Sequence, residues 1–257
     1  MGGIPGFYYK QKNRIFNMTV AQEKMQVEIW SDIACPFCYI GKRNFETALA
    51  QFPHKDKIEI LWRSFQIMPH AKHKPGMDNN QALAEHLGTT PAQAKMMNEH
   101  VTAMAKGAGL TYNMDKLVWA NTLDAHRLIQ YASSIGLADQ MEERLFQAHF
   151  TNGENIEDQA TLLKIALQVG LEEGPVRKVL ESDQYTAEVG KDISAAQNLG
   201  VRGVPSFIIN RKASFSGAMP VTDFTHMLSS AFANWQKEYS ADENPAGVVC
   251  SPKGECQ

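Results

Sequence analysis

Cys35-Pro36-Phe37-Cys38 places two thiols two residues apart, at the point where a strand-like pattern gives way to a helical one. Only a thiolate attacks a disulfide, and an ordinary cysteine with a pKa of about 8.5 is only about 3% thiolate at neutral pH. The unpaired N–H groups and positive dipole end of a helical first turn stabilise an anion, so this position favours the thiolate of Cys35. Pro36 suits that turn because its missing N–H would have had no intrahelical partner. The spacing puts both sulfurs on one side of the turn, where a disulfide can close and reopen. Cys35 is expected to be the exposed attacking thiol and Cys38 the more buried resolving one, while Phe37 adds no charge. A zinc half-site or two core cysteines are the competing readings of the pair. Zinc needs two further ligands, and the other close pair is Cys250 and Cys256.

Cys250 and Cys256 flank Ser-Pro-Lys-Gly-Glu, a turn-prone spacer that lets the two thiols reach disulfide geometry. They are expected to be either a second redox pair or passively oxidised thiols of a mobile tail. Asp32, three residues before Cys35, can take a proton during exchange or cap the loop. His126 and His149 read first as hydrogen-bonded core histidines that could face a cleft; His70 and His73 read as solvated. Met96, Met97, Met104 and Met114 supply adaptable apolar side chains, for the core or for an accommodating surface.

The elements that must position these residues are legible in the periodicity. Alternation from Gln26 to Trp30 suits a strand, and Cys38, Ile40, Phe45, Ala48 and Leu49 recur at about 3.6 residues, a helix ending before Pro53. Lys57–Phe65 is a second strand, giving a βαβ unit. From His70 to Glu181 the strand signals vanish. Helical patterns cover Asn80–Leu87, Pro91–Lys106, Ala120–Ile135, Ala138–Phe150, Asp158–Val169 and Pro175–Leu180. Thr90-Pro91 and Gly174-Pro175 suit helix starts. A helix over Tyr185–Leu199, a strand at Ser206–Asn210, its hairpin partner at Ser214–Ser216 and a helix over Val221–Lys237 complete the pattern. The expected organisation is an N-terminal arm (1–25), one α/β domain made from 26–69 and 184–237, an all-helical insertion (70–183) and a flexible tail (238–257).

The 257 residues are 44% hydrophobic and 21% charged, enough for one large core, which excludes a disordered chain or a small disulfide-stapled scaffold. With 25 basic and 28 acidic residues the formal charge is -3, which offers a polyanion no attracting field and argues against nucleic acid as a partner. No apolar run approaches the roughly 20 residues that cross a bilayer, and the first 25 residues lack a signal-peptide core. A cytoplasmic location without membrane attachment is the expectation. There the thiols would do transient redox work or bind metal.

VEIWSDIACPFCYIGK, NTLDAHRLIQYA, RLFQAHFTNGENI and GVRGVPSFIIN with FSGAMP, in this order, resemble the DsbA-like thioredoxin-fold oxidoreductases, and within them the FrnE branch. The resemblance covers roughly Gln26 to Ala233. It implies an α/β thioredoxin fold interrupted by a large all-helical insertion, a cis-proline at Val204-Pro205 facing Cys35 and Cys38, and a backbone at Val204 that pairs with an extended substrate. The catalytic set it implies is Cys35, Cys38 and Pro205, with Pro36, Phe37 and Val204 against the substrate. Neither metal nor organic cofactor is called for. Protein thiols and disulfides are the expected partners, with glutathione or a thioredoxin-like protein as candidate electron partner. FrnE-like proteins also carry a second C-terminal cysteine pair, to which Cys250 and Cys256 are a loose match. Two other activities fit parts of the pattern. A glutathione-dependent isomerase or transferase of the kappa type has a similar inserted fold but typically no such cysteine pair. A chaperone-like binding protein would use the Met-rich surface and leave the thiols incidental.

Overall fold

In a computed structural model that describes residues 24–73 and 75–243, the alternating stretch Met25–Ser31 forms β1 at the centre of a mixed four-stranded sheet. Helix α1 (Pro36–Gln51) leads to β2 (Ile58–Ser64), which lies parallel to β1 with Val27 opposite Ile60 and Ile29 opposite Trp62. The α-helices α2 (Asn79–Leu87), α3 (Pro91–Gly107), α4 (Leu123–Ser134), α5 (Ala138–Phe146), α6 (Gln159–Val169) and α7 (Glu173–Leu180) follow. Then come α8 (Thr186–Asn198), β3 (Ser206–Ile209), β4 (Ala213–Ser216) and α9 (Val221–Glu243). β3 runs antiparallel to both β1 and β4, and the order across the sheet is β2-β1-β3-β4. Among the described residues no helix is long and apolar enough to cross a membrane.

β1 is buried on both faces because helices cover both. Val27 and Ile29 pack with Phe45 and Ala48 of α1 and Phe224 and Leu228 of α9. Trp30 faces the other way, against Ala196 of α8 and Ile208, and its indole N–H donates to the Asp192 carbonyl at 2.9 Å. α1 itself is shared between two cores. Its second half belongs to the sheet, whereas Cys38, Tyr39 and Ile40 at its start pack with Val101, Leu128, Phe146 and others from the inserted helices. The cysteine turn is therefore a seam between sheet and insertion.

The helix starts follow local chemistry. Asp78 accepts from the N–H groups of Asn80 and Gln81 to cap α2. Thr90 and Gln93 form a capping box on α3, with Pro91 in its first turn. Three details depart from the sequence reading. Glu28, an outward-facing polar residue by alternation, is 2% exposed; Arg63 and Arg211 both pair with it, and their charges outweigh burial to hold its carboxyl below the usual range. The helix expected over Ala138–Phe150 stops at Phe146 and widens into a π-helical turn over Gln147–Asn152, closed by Gly153. At Gly153 φ is +67°, and an added Cβ would meet the Lys116 carbonyl at 2.5 Å, so glycine alone fits. Residues 238–243, expected to belong to a tail, instead continue α9 to Glu243, past the Lys212–Glu238 ion pair. The calls on Cys250 and Cys256 lie outside the described residues.

Candidate active site

Cys35 is the N-cap of α1, and Pro36 begins the helix. The turn is closed by the Asp32 carbonyl, which accepts from Cys35 N–H at 3.0 Å, and by the Cys35 carbonyl, which accepts from Cys38 N–H at 3.0 Å. Tyr112, from the inserted region, donates its hydroxyl to the Pro36 carbonyl at 2.7 Å and stacks on Phe150 and Tyr39. The Val204-Pro205 bond is cis, and the Cys35 thiol donates to the Val204 carbonyl at 3.5 Å. A Cβ on Gly41 would lie 3.0 Å from Cγ of Pro205, so glycine in α1 is what lets the helix approach the proline this closely.

Two expectations need correction. Cys35 is not an exposed thiol: it is 5% accessible against 1% for Cys38, because the insertion packs over the turn. Nor does its sulfur accept a hydrogen bond from the first-turn amides, since the thiol is turned to Val204 instead. Both thiols are reduced here. Burial, and then the adjacent Cys35 sulfur, push the Cys38 thiol well above the ordinary cysteine range; the Asp32 backbone amide and the Ser31 hydroxyl oppose that push.

Asp32 is fully buried and does what a loop cap does: its carboxylate accepts from Ile67 N–H at 2.7 Å and Ala34 N–H at 3.3 Å. It also meets Nε2 of the fully buried His126 at 3.2 Å. Burial alone would lower the His126 pKa, but the Asp32 hydrogen bond and charge raise it above the ordinary value. Behind them Glu142 of α5 is buried, and desolvation lifts its pKa to about 8, only partly offset by the charges of His126 and Lys42.

This cluster has a pH signature. Native Glu142 keeps a proton that the unfolded chain releases at ordinary carboxylate pH, so its contribution to stability is lost as pH rises to about 8. Raised His126 acts in the same direction above its unfolded value. His149, pushed down to about 4 by burial, acts oppositely and only below its ordinary value of 6.5. The midpoint of urea unfolding is therefore expected to fall between about pH 6.5 and pH 8.5, and Glu142→Gln to flatten that fall. An unchanged slope in the variant would contradict the burial of an ionisable Glu142.

Residues 26–229 match the family model of the DSBA-like thioredoxin domain. The chain belongs to the DsbA-like thioredoxin family. Its fold is the family's, with the helical insertion between β2 and α8. A probable DsbA oxidoreductase from Streptomyces coelicolor superposes with a TM-score of 0.78 at 33% identity, over 91% of this chain and 98% of that one. YwbO, an uncharacterized protein of Bacillus subtilis, is 27% identical over 72% of this chain and 86% of its own length. A cytosolic disulfide reductase, DsbM of Pseudomonas aeruginosa, shares the fold at a TM-score of 0.59 and 16% identity, over 81% of this chain and 99% of that one.

On this DsbA-like framework a cavity of about 580 Å³ opens beside Cys35. Pro36 and Phe37 border it on the α1 side; Trp119, Val101 and Met97 border it from the insertion, and His149 and Phe150 from the π-helical turn. Phe37 is 40% exposed at its rim. The sequence reading anticipated neither this cavity nor Trp119, Tyr112 and Glu142. Met96 and Met97, here exposed at its rim, and His149 were the signals that touched it. His70 and His73 are exposed, as expected. Among the described residues no three or more His, Cys, Asp or Glu side chains are grouped to hold a metal ion.

Proposed function

We propose that the chain is a cytoplasmic thiol:disulfide oxidoreductase of the FrnE branch, exchanging disulfides with protein substrates through Cys35 and Cys38. The observation that carries this reading is the cysteine pair at the start of α1, with the cis Val204-Pro205 bond against Cys35. In the reducing direction the Cys35 thiolate attacks one sulfur of a substrate disulfide. That S–S bond breaks, the departing thiolate takes a proton, and Cys35 is left in a mixed disulfide. Cys38 then loses its proton and attacks Sγ of Cys35, releasing the second substrate thiol and closing the Cys35–Cys38 disulfide. Two electrons pass to the substrate, and two molecules of glutathione, or the dithiol of one thioredoxin-like protein, restore the pair. The oxidising direction is the reverse, and the partner's potential chooses between them.

Each remaining residue has a part in this scheme. Val204 offers backbone hydrogen bonding to an extended substrate once Cys35 ionises and frees its carbonyl. Pro205 sets the approach, with Pro36 and Phe37 flanking the sulfur. Cys38 needs a proton acceptor because burial holds it protonated, and the Asp32–His126 pair behind the loop supplies one. Cys250 and Cys256 serve as a second pair that exchanges with the first. Incubating the reduced chain with a disulfide-bonded protein such as insulin should yield a form two hydrogens lighter, with Cys35 and Cys38 joined. Retention of both free thiols would defeat the reading.

A further inference from the structure

Seven large apolar residues are conspicuously exposed among the described residues, and five of them, Phe37, Ile67, Leu87, Met96 and Met97, ring the cavity beside Cys35. Such clustering around one concavity marks a binding surface rather than scattered surface apolarity. Inside, the character is the same. Asn79, which could have made the wall polar, is spent within the protein: its amide donates to the Met114 carbonyl at 2.9 Å and its Oδ1 accepts from Trp119 Nε1 at 2.7 Å. Asn98 likewise donates to Asn80 Oδ1. Among the described residues no Lys, Arg, Asp or Glu lines the cavity, and its other titratable side chains besides Cys35 and His149 are His86 and His100.

One side chain of the wall, His149, carries a buried nitrogen without a partner. His149 is 2% exposed, and its Nδ1 makes no hydrogen bond. It reaches the wall because the π-helical turn over Gln147–Asn152 inserts extra residues there, a device often found at functional sites. A buried, unsatisfied ring nitrogen costs free energy unless a ligand meets it. The size falls within the roughly 300–1,000 Å³ of small-molecule sites. Aromatic walls at Trp119, Phe150 and Phe37, with thioethers at Met96, Met97 and Met114, suit a flat ring, since sulfur–ring contacts are favourable.

We infer that the chain has a second substrate class, low-molecular-weight disulfides bearing an uncharged aromatic group, which sits in this cavity with one polar atom on His149 while Cys35 attacks the attached sulfur. This rests on the exchange chemistry proposed above. The balance is that of any disulfide: Cys35 displaces one aromatic thiolate, which takes up a proton. Cys38 displaces the second from the mixed disulfide, and the dithiol's two electrons leave as two aromatic thiols.

The test uses the reduced full chain in single-turnover reactions with three disulfides: 2,2′-dipyridyl disulfide (aromatic, uncharged), hydroxyethyl disulfide (uncharged, no ring) and glutathione disulfide (charged). Each rate is divided by that of mercaptoethanol with the same disulfide, which cancels leaving-group chemistry. The normalised aromatic rate should exceed the other two by about tenfold or more, the return for burying one ring. Met97→Glu, which places a carboxylate at the rim, should cut that preference about tenfold. Ile135→Glu, at an equally exposed apolar site away from the cavity, should leave it unchanged. Equal normalised rates, or a preference indifferent to Met97→Glu, would overturn the inference. So would acceleration confined to peptide disulfides with a neighbouring phenylalanine, which would make the cavity a side-chain pocket for polypeptides. If no disulfide reacts at all, the exchange reading has failed, and binding decides the cavity separately. The uncharged dye N-phenyl-1-naphthylamine should then gain fluorescence on Cys35→Ser protein and lose that gain with Met97→Glu. No gain would overturn the cavity assignment too.

Discussion

Cys35→Ser is expected to lose disulfide exchange by a factor on the order of 10³ or more, while remaining folded. Serine is nearly isosteric and can make the same donor contact with the Val204 carbonyl, so the turn has no reason to rearrange. Its hydroxyl, however, yields no anion at neutral pH and cannot form the mixed disulfide. Cys38→Ser loses turnover comparably for a different reason. The first displacement proceeds, but nothing inside the turn releases the adduct. This asymmetry follows from position: Cys35 borders the cavity and the cis-proline, whereas Cys38 is enclosed by Ser31, Asp32 and the insertion core. Turnover of insulin disulfides, with circular dichroism as a folding control, measures both. Activity surviving in Cys35→Ser would move the chemistry elsewhere in the chain.

Asp32→Ala is expected to destabilise the protein by about 3–5 kcal/mol, among the largest losses available from one side chain. The carboxylate has no exposure and satisfies the Ile67 and Ala34 amides as well as His126. Alanine leaves the fully buried His126 ring without its partner and takes the side-chain acceptor from the Ile67 and Ala34 amides. Asp32→Asn should cost less, because one amide oxygen still accepts from the backbone, yet it removes the charge that raises the His126 pKa. The two variants separate capping from proton handling. Urea denaturation gives the capping loss, and the rate of the second displacement in Asp32→Asn gives the proton term. A loss under about 1 kcal/mol in Asp32→Ala would contradict the buried network.

What the sequence made legible is what local chemistry writes: the alternation of β1, the 3.6-residue face of α1, the Thr90–Gln93 capping box and the Cys35–Cys38 spacing. The Val204-Pro205 position came through resemblance, since nothing in an X-Pro dipeptide chooses the cis form. What stayed hidden depends on packing between distant segments. The burial of Glu142 and Glu28 is of this kind, because neither periodicity nor alternation tells which partner will cover a face. The cavity draws its wall from α1, α2, α3, the Met114–Ala120 stretch and the π-helical turn, which converge only when folded. The burial of Cys35 has the same origin: a first turn alone predicts an exposed cap, and the inserted helices close over it.

The central claim is that Cys35 attacks and Cys38 resolves. The most direct measurement is to mix reduced Cys38→Ser and Cys35→Ser proteins separately with a disulfide-bonded substrate, quench with acid, and map the adduct by peptide mass spectrometry. A stable mixed disulfide on Cys35 in the first protein, and none on Cys38 in the second, is the predicted result. Adducts forming on Cys38 instead, or on neither residue, would contradict it.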